Sequence, residues 1–371
     1  MRAAVGDTPD PVTGSVPGTD PGPVTRPEPP MLVVSVVVSA RGNGDRLAGL
    51  LKALAAQTFP ADRFEVVAVD NDPPGTRRPI AAVVGQARTL FELRVVHEPE
   101  PGLSAGRNRG ICAARGRYIA VTDPDITPDP DWLATLVDTA DTEGVFAVGG
   151  RTTVDYAEGT AIPLTKALAE CHGAVDWPAD RTPARFPFWV TGCNLLFDRQ
   201  RALELGLFRR DLGRKRGRLL DCEDLEFVDR AREAGLETLI EPAAHARHPV
   251  YRTETTLRWF VRQGIGHGVC VARMHDSVTV VPEAIRADRG AAKQALVALV
   301  QGWTFLDSAA ATEALRDLVR IVAYHAELRR LRWRRCSAAY RHTAPRVPTW
   351  TTVVVEAPRI PNPTSSQGVP A

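Results

Sequence analysis

Four short apolar runs, each closing on polar or charged residues and separated by helical or turn patterns, decide what this chain can fold into. Leu32 to Val38 is almost continuously β-branched, as a strand buried on both faces requires, and Asp45 then precedes Leu47, Leu50, Leu51 and Leu54 at helical spacing. Phe64 to Val69 reads as a second strand ending at Asp70, and Leu93 to His97 as a third leading to Pro101-Gly102. A helix from about Ser104 to Ala114 then precedes a fourth strand, Tyr118 to Thr122. Strands alternating with helices imply an α/β fold with a mostly parallel sheet flanked by helices. In such sheets ligands bind beyond the carboxyl ends of the strands, and there the sequence sets Ala40-Arg41, Asp70-Asn71-Asp72 and Asp123-Pro124-Asp125.

Beyond Trp132 the pattern turns to mixed α+β. Strands are expected near Phe146 to Thr153 and Phe188 to Phe197, and helices from about Cys222 to Ala234 and Thr255 to Met274. From Glu283 to Arg335 Leu296, Leu299 and Val300, then Leu315, Leu318, Val319 and Val322, recur at helical spacing. The expected organisation is a Pro/Gly-rich disordered leader (1–30), a domain over 31–275 divided at about 132, a helical extension (276–340) and a flexible tail (341–371) whose only packing signal is Thr351 to Val355.

Composition narrows the function classes. At 44% hydrophobic and 24% charged the chain can bury a sizeable core, and 46 basic against 44 acidic residues give no general nucleic-acid-binding surface. Six scattered cysteines without a C-x-x-C argue for buried thiols rather than a zinc site or disulfide framework. The leader lacks a signal-peptide core, and no run reaches the roughly 18 to 20 apolar residues of a membrane span, so a cytoplasmic protein, peripheral to a membrane at most, is expected.

Two acidic pairs carry the chemistry. In Asp123-Pro124-Asp125, side chains at i and i+2 of an extended segment share one face and converge on one hard cation, with Pro124 keeping Asp123 extended. Glu223-Asp224 opens a helix, where a carboxylate is well fixed to take a proton; the bland reading is that such acids complement the helix dipole, with Asp221 as cap.

The buried first strand, Asp70, Gly102-Leu103-Ser104-Ala105-Gly106-Arg107-Asn108-Arg109-Gly110, Asp-Pro-Asp, Gly192-Cys193-Asn194 and Cys222-Glu223-Asp224-Leu225-Glu226-Phe227 follow one another in an order that resembles the family 2 glycosyltransferases of the GT-A fold, over about Leu32 to Met274. The resemblance implies an inverting transferase that moves a sugar from a nucleotide-diphosphate donor to a hydroxyl or amine of a small molecule, lipid-linked sugar or glycan precursor. It implies that Asp70, with Asp72 nearby, meets the nucleobase beside Ala40 and Arg41, and that Arg107 and Asn108 line the diphosphate side. Asp125 would ligate Mg²⁺ or Mn²⁺, with Asp123 on ribose or metal and His248 completing the site. Asp224 is the implied base and Glu223 its neighbour, while Trp189, Gly192 and Asn194 form the acceptor-side wall. The first strand ends Ser39-Ala40-Arg41, where relatives often show Pro-Thr-Tyr-Asn.

Alternatives stand beside this reading. A nucleotidyltransferase shares the architecture but needs a phosphate loop that Ser39 to Gly44 fits poorly, and a non-catalytic sugar-nucleotide-binding protein could keep the fold. Arg209 to Arg218 reads as an exposed basic loop or as a cover over a diphosphate or anionic acceptor. Arg258 to Gly264 mixes groups suited to a gate with Trp259 and Phe260 suited to a core. The C-terminal helices, with Arg329 to Arg335, are candidates for membrane contact or homodimerisation, or end in a solvated face.

Overall fold

A computed structural model describes residues 32–42, 44–72, 80, 83–84, 91–156, 158–185, 187–275, 282–304 and 306–336. The expected leader and tail, including Thr351 to Val355, lie outside these residues. The strands β1 (Val34–Ala40), β2 (Phe64–Asp70), β3 (Glu92–His97) and β4 (Tyr118–Thr122) pair in parallel in the order β3-β2-β1-β4. Helices cover both faces of β1: Val34, Val36 and Val38 pack against Leu47, Leu50, Leu51 and Leu54 of α1 (Gly44–Ala55), and Val37 against Ile111 of α2 (Leu103–Ala113). Each such buried valine or leucine contributes about 1.5–3 kcal/mol, which is why β1 is apolar without alternation. On α2, a side chain at Gly106 or Gly110 would drive into Ser39 or Val37, so the glycines bring this helix close onto the sheet.

The remainder follows as β5 (Thr127–Pro128), α3 (Trp132–Glu143), β6 (Ala147–Asp155), α4 (Lys166–Glu170), β7 (Thr182–Pro183), β8 (Asn194–Asp198), α5 (Arg199–Leu205), α6 (Glu223–Glu233) and β9 (Thr238–Pro249). The sheet continues β4-β8-β6-β9-β5, with β8 antiparallel to β4 and β6, and β6 parallel to β9. The expected strand from Phe188 to Phe197 forms only over Asn194–Asp198, because the chain turns at Thr191, whose carbonyl accepts the Asn194 N–H at 3.0 Å.

Three helices close the described chain: α7 (Leu257–His275), α8 (Pro282–Thr304) and α9 (Ser308–Cys336). Gly264 and Gly268 of α7 let the backbone of α9 approach at Arg316 and Arg320, and Arg273 meets Glu327 at 2.9 Å. Trp259 and Phe260 are core residues, as one of the two readings held. Leu296, Val300 and Trp303 of α8 stand exposed on one stripe. Among the described residues no helix is long and apolar enough to cross a membrane.

Candidate active site

Beyond the carboxyl ends of β1, β2 and β4 lies a solvent-open cleft whose wall includes Arg41, Arg46, Asn71, Asp123, Asp125 and His248. The acidic triplet enters it as a turn and not as extended chain: Ile126 N–H donates to the Asp123 carbonyl at 3.3 Å, with Pro124 at the position where its fixed φ suits a turn. The two carboxylates therefore diverge. Asp123 Oδ1 accepts from Arg107 at 3.1 Å, whereas Asp125 Oδ2 pairs with Arg46 of α1 at 3.0 Å, and the same guanidinium lies 3.9 Å from the centre of the Tyr251 ring. Burial, with the Asp123 charge adding to it, raises the Asp125 pKa above the usual carboxylate range, while His248 and Arg46 draw it back.

The second acidic pair stands at the start of α6, entered through Cys222 in a left-handed conformation (φ 64°). Asp224 accepts from Gly192 N at 2.6 Å and Leu225 N at 2.8 Å, which fixes both carboxylate oxygens. Glu223 Oε1 accepts from Arg107 at 2.8 Å. Arg107, only 1% exposed, thus bridges the first acidic pair to the second. Burial pushes Glu223 up to about 7, the Asp224 charge adding to it. Burial also raises Asp224, against the pull of Arg107 and the two backbone N–H groups. Gly192 is required here, since a Cβ would lie 2.8 Å from Arg107 Nη1 and 3.0 Å from Asp224 Oδ2.

Several expected site residues are placed elsewhere. Asn108 donates to the Phe208 carbonyl at 2.8 Å and accepts from Phe208 N at 3.0 Å, so it anchors a loop and does not line a diphosphate. Arg107 faces inward to its carboxylates, behind the cleft wall. Fully buried Asn194 accepts from Trp132 Nε1 at 2.7 Å and donates to the carbonyls of Arg151 and Ala244, a cross-link between elements and not an acceptor wall. Trp189 lines a separate small cleft with Leu225, Val228, Asp229 and Arg232. Asp221 does not cap α6; it pairs with His267 at 3.0 Å. Ala40 is buried opposite Asp70 in the β1–β2 register, Asp70 accepts from Asp72 N at 3.0 Å, and Asp72 accepts from Gly42 N. Burial raises the Asp72 pKa.

Other contributors were invisible in the motifs. Asn71, just beyond β2, donates to the carbonyls of Glu98 (2.8 Å) and Glu100 (2.7 Å) and accepts from Gly102 N at 2.9 Å, tying β2 to the start of α2. Arg46 carried no motif, although an arginine in the first turn of the helix after β1 is a signal that could have been weighed. The basic stretch forms a tight hairpin in the cleft wall. Among the described residues only Asp221, Cys222 and His267 bring three metal-capable atoms within 4.8 Å of one another; Asp123, Asp125 and His248 stand further apart, with Asp125 turned onto Arg46.

Comparison with known proteins gives this geometry a family. Residues 35–196 match the model of glycosyl transferase family 2. The succinoglycan biosynthesis protein ExoM of Rhizobium meliloti (strain 1021) is 30% identical over 240 residues, 61% of this chain and 71% of that protein. The glycosyltransferase AglE of Haloferax volcanii is 31% identical over 126 residues, 34% of this chain and 41% of that one. Among solved structures, the mannosyltransferase PcManGT from Pyrobaculum calidifontis, in complex with GDP-Man and Mn²⁺, superposes with a TM-score of 0.50 at 19% identity, covering 83% of this chain and 76% of that one. The chain belongs to glycosyltransferase family 2, and is a glycosyltransferase built on the GT-A fold.

Proposed function

We propose that this chain is a metal-dependent inverting glycosyltransferase that moves a sugar from a nucleotide-diphosphate donor to a hydroxyl or amine of a glycan precursor, lipid-linked sugar or small molecule. The observation that carries the reading is the continuous path Asp123–Arg107–Glu223 beside Asp224, which joins the donor cleft to the candidate base. Asp224 accepts the acceptor's proton for in-line attack at the anomeric carbon. Its burial raises its basicity, and the Arg107 charge opposes that rise. Gly192 leaves room for the carboxylate and holds one of its oxygens by a backbone N–H. Asp70 and Asp72 meet the nucleobase at the β2 end, with Ala40 and Arg41 beside them.

The residues fit a divalent cation. Asp125 is an acid in a partly buried place paired with the Arg46 guanidinium, and Asp123 and His248 flank it on the same cleft. Asp125, with Asp123 and His248 nearby, would hold Mg²⁺ or Mn²⁺, which would neutralise charge on the departing diphosphate. That a relative in fold was solved in complex with GDP-Man and Mn²⁺ supports a divalent cation as part of this reading.

The test is nucleoside diphosphate release from UDP-, GDP- and dTDP-sugars with each metal, using wild type and Asp224→Asn. One donor class should be turned over, the variant should be about a hundredfold or more slower, and an α-linked donor should give a β-linked product by NMR. Turnover unchanged in the variant, or none with any donor, would refute the assignment.

A further inference from the structure

The basic stretch, read either as an exposed loop or as a cover over a diphosphate or anionic acceptor, is largely solvent-exposed and forms part of the cleft wall. Lys215 and Arg218 pair across a two-residue turn (3.2 and 2.9 Å) whose central residues, Arg216 (φ 50°) and Gly217 (φ 75°), both have positive φ, as in the tightest hairpin turns. Leu103 N donates to the Arg214 carbonyl at 2.9 Å, Lys215 meets Glu100 at 2.7 Å, and Arg262 of α7 holds the Gly217 carbonyl.

The basic residues divide by partner. Arg209 pairs with Asp211, and Arg210 and Lys215 with Glu100. Arg214, Arg216 and Arg218 line the cleft and form no ion pair among the described residues. Arg216 also occupies a left-handed position that ordinarily falls to Asn or Gly, a cost that a solvated surface arginine gives no reason to bear.

Charge then argues for a second anion. Five guanidiniums line the cleft (Arg41, Arg46, Arg214, Arg216, Arg218) against three carboxylates (Asp123, Asp125, Glu254). A donor diphosphate and a divalent ion cancel each other's two charges, so the positive excess outlasts donor binding. The hairpin also leads directly to the candidate base: Gly213, at its root, packs on Glu223, with an ideal Cβ 3.3 Å from that carboxyl, and Leu220 and Asp221 run into α6. We infer that the acceptor carries a phosphate or diphosphate, and that Arg214, Arg216 and Arg218 receive its oxygens, guanidinium forks matching phosphoryl geometry. This rests on the transferase reading above, and it makes the acceptor a phosphorylated sugar or a lipid phosphate rather than a neutral molecule.

The experiment uses full-length protein saturated with Mn²⁺ and the nucleoside diphosphate that binds it. Glucose 1-phosphate is titrated against methyl glucoside, and octyl phosphate against octanol, by calorimetry, with a fluorescent nucleotide reporting displacement. At least one phosphate ester should bind tenfold or more tighter than its neutral partner without displacing nucleotide. In the Arg216→Gln, Arg218→Gln double variant that preference should vanish, with a loss at least fivefold greater than any loss of nucleotide affinity; these side chains are exposed, so the thermal midpoint should hold. A preference confined to octyl phosphate identifies a lipid phosphate, and one shared by glucose 1-phosphate a soluble one. Absence of the preference, its survival in the double variant, or binding only by displacing nucleotide would overturn the inference. Failure of every nucleotide to bind would instead remove the transferase reading, and the inference with it.

Discussion

Replacing Arg107 by methionine, which keeps the volume and removes the charge, should expose how the two acidic pairs coexist. The guanidinium is 1% exposed and touches Asp123 at 3.1 Å and Glu223 at 2.8 Å, with Asp224 also acting on its charge. Stripping one partner from a buried ion pair typically costs about 3–5 kcal/mol. The pH dependence identifies the cause. Glu223 sits at about 7 when folded against 4.5 ordinarily, so between these values the folded state holds a proton that the unfolded state has released. Stability therefore falls as pH rises through that window, by roughly 1.4 kcal/mol per unit, or about 3 kcal/mol in all. Without Arg107 the folded pKa values of Glu223 and Asp224 rise further, so the variant loses more at high pH and little where both acids are protonated. The expected destabilisation is about 3–5 kcal/mol at pH 8, or about 10 °C in the thermal midpoint, shrinking below about 2 kcal/mol near pH 5. Urea and thermal unfolding of both proteins from pH 5 to 8 measure it. A difference that does not change with pH, or one under about 1 kcal/mol at pH 8, would refute the charge-compensation argument.

Two further substitutions probe positioning. Gly192→Ala places a methyl 2.8 Å from Arg107 Nη1 and 3.0 Å from Asp224 Oδ2, forcing the proposed base to shift by several tenths of an ångström. By the rule that about 1 Å costs about a hundredfold, kcat should fall about tenfold or more with donor KM little changed, and unaltered turnover in the nucleotide-release assay would contradict this. Asn71→Ala leaves the Glu98 and Glu100 carbonyls and the Gly102 N–H without their partner, which should cost about 2–4 kcal/mol in urea unfolding and loosen nucleotide binding. Wild-type stability would show that water replaces the side chain without loss.

What could be read from the sequence followed the range of the interactions. The β1 strand, α1 and α6 were legible because burial on two faces, on one stripe and at a helix start each leave a local pattern, as Leu47, Leu50, Leu51 and Leu54 do. Asp123 and Asp125 could be set on one cleft because strand ends converge in a parallel sheet, whereas His248 entered only through the family resemblance. The directions of their side chains could not. Pro124 suits an extended residue before it and a turn equally well, and the choice fell to the turn. Asn108 and Asn194 find their partners 100 and 62 residues away, and Arg46 meets Asp125 across 79, separations at which no spacing rule operates. The hairpin could have been suspected from Arg216-Gly217, a pair ending in glycine at the turn, but its place in the cleft depends on Leu103, Glu100 and Arg262, which lie in other elements.

The central claim, a metal-bridged nucleotide diphosphate at Asp125, is tested most directly by calorimetry of UDP, dTDP and GDP, each with and without Mg²⁺ or Mn²⁺, on wild type and Asp125→Asn. The account predicts that one nucleotide binds, that the metal tightens it about tenfold or more, and that the variant abolishes the metal's effect because its amide cannot supply the anionic ligand. Binding of equal strength with and without metal, or a metal effect that survives in the variant, would contradict it.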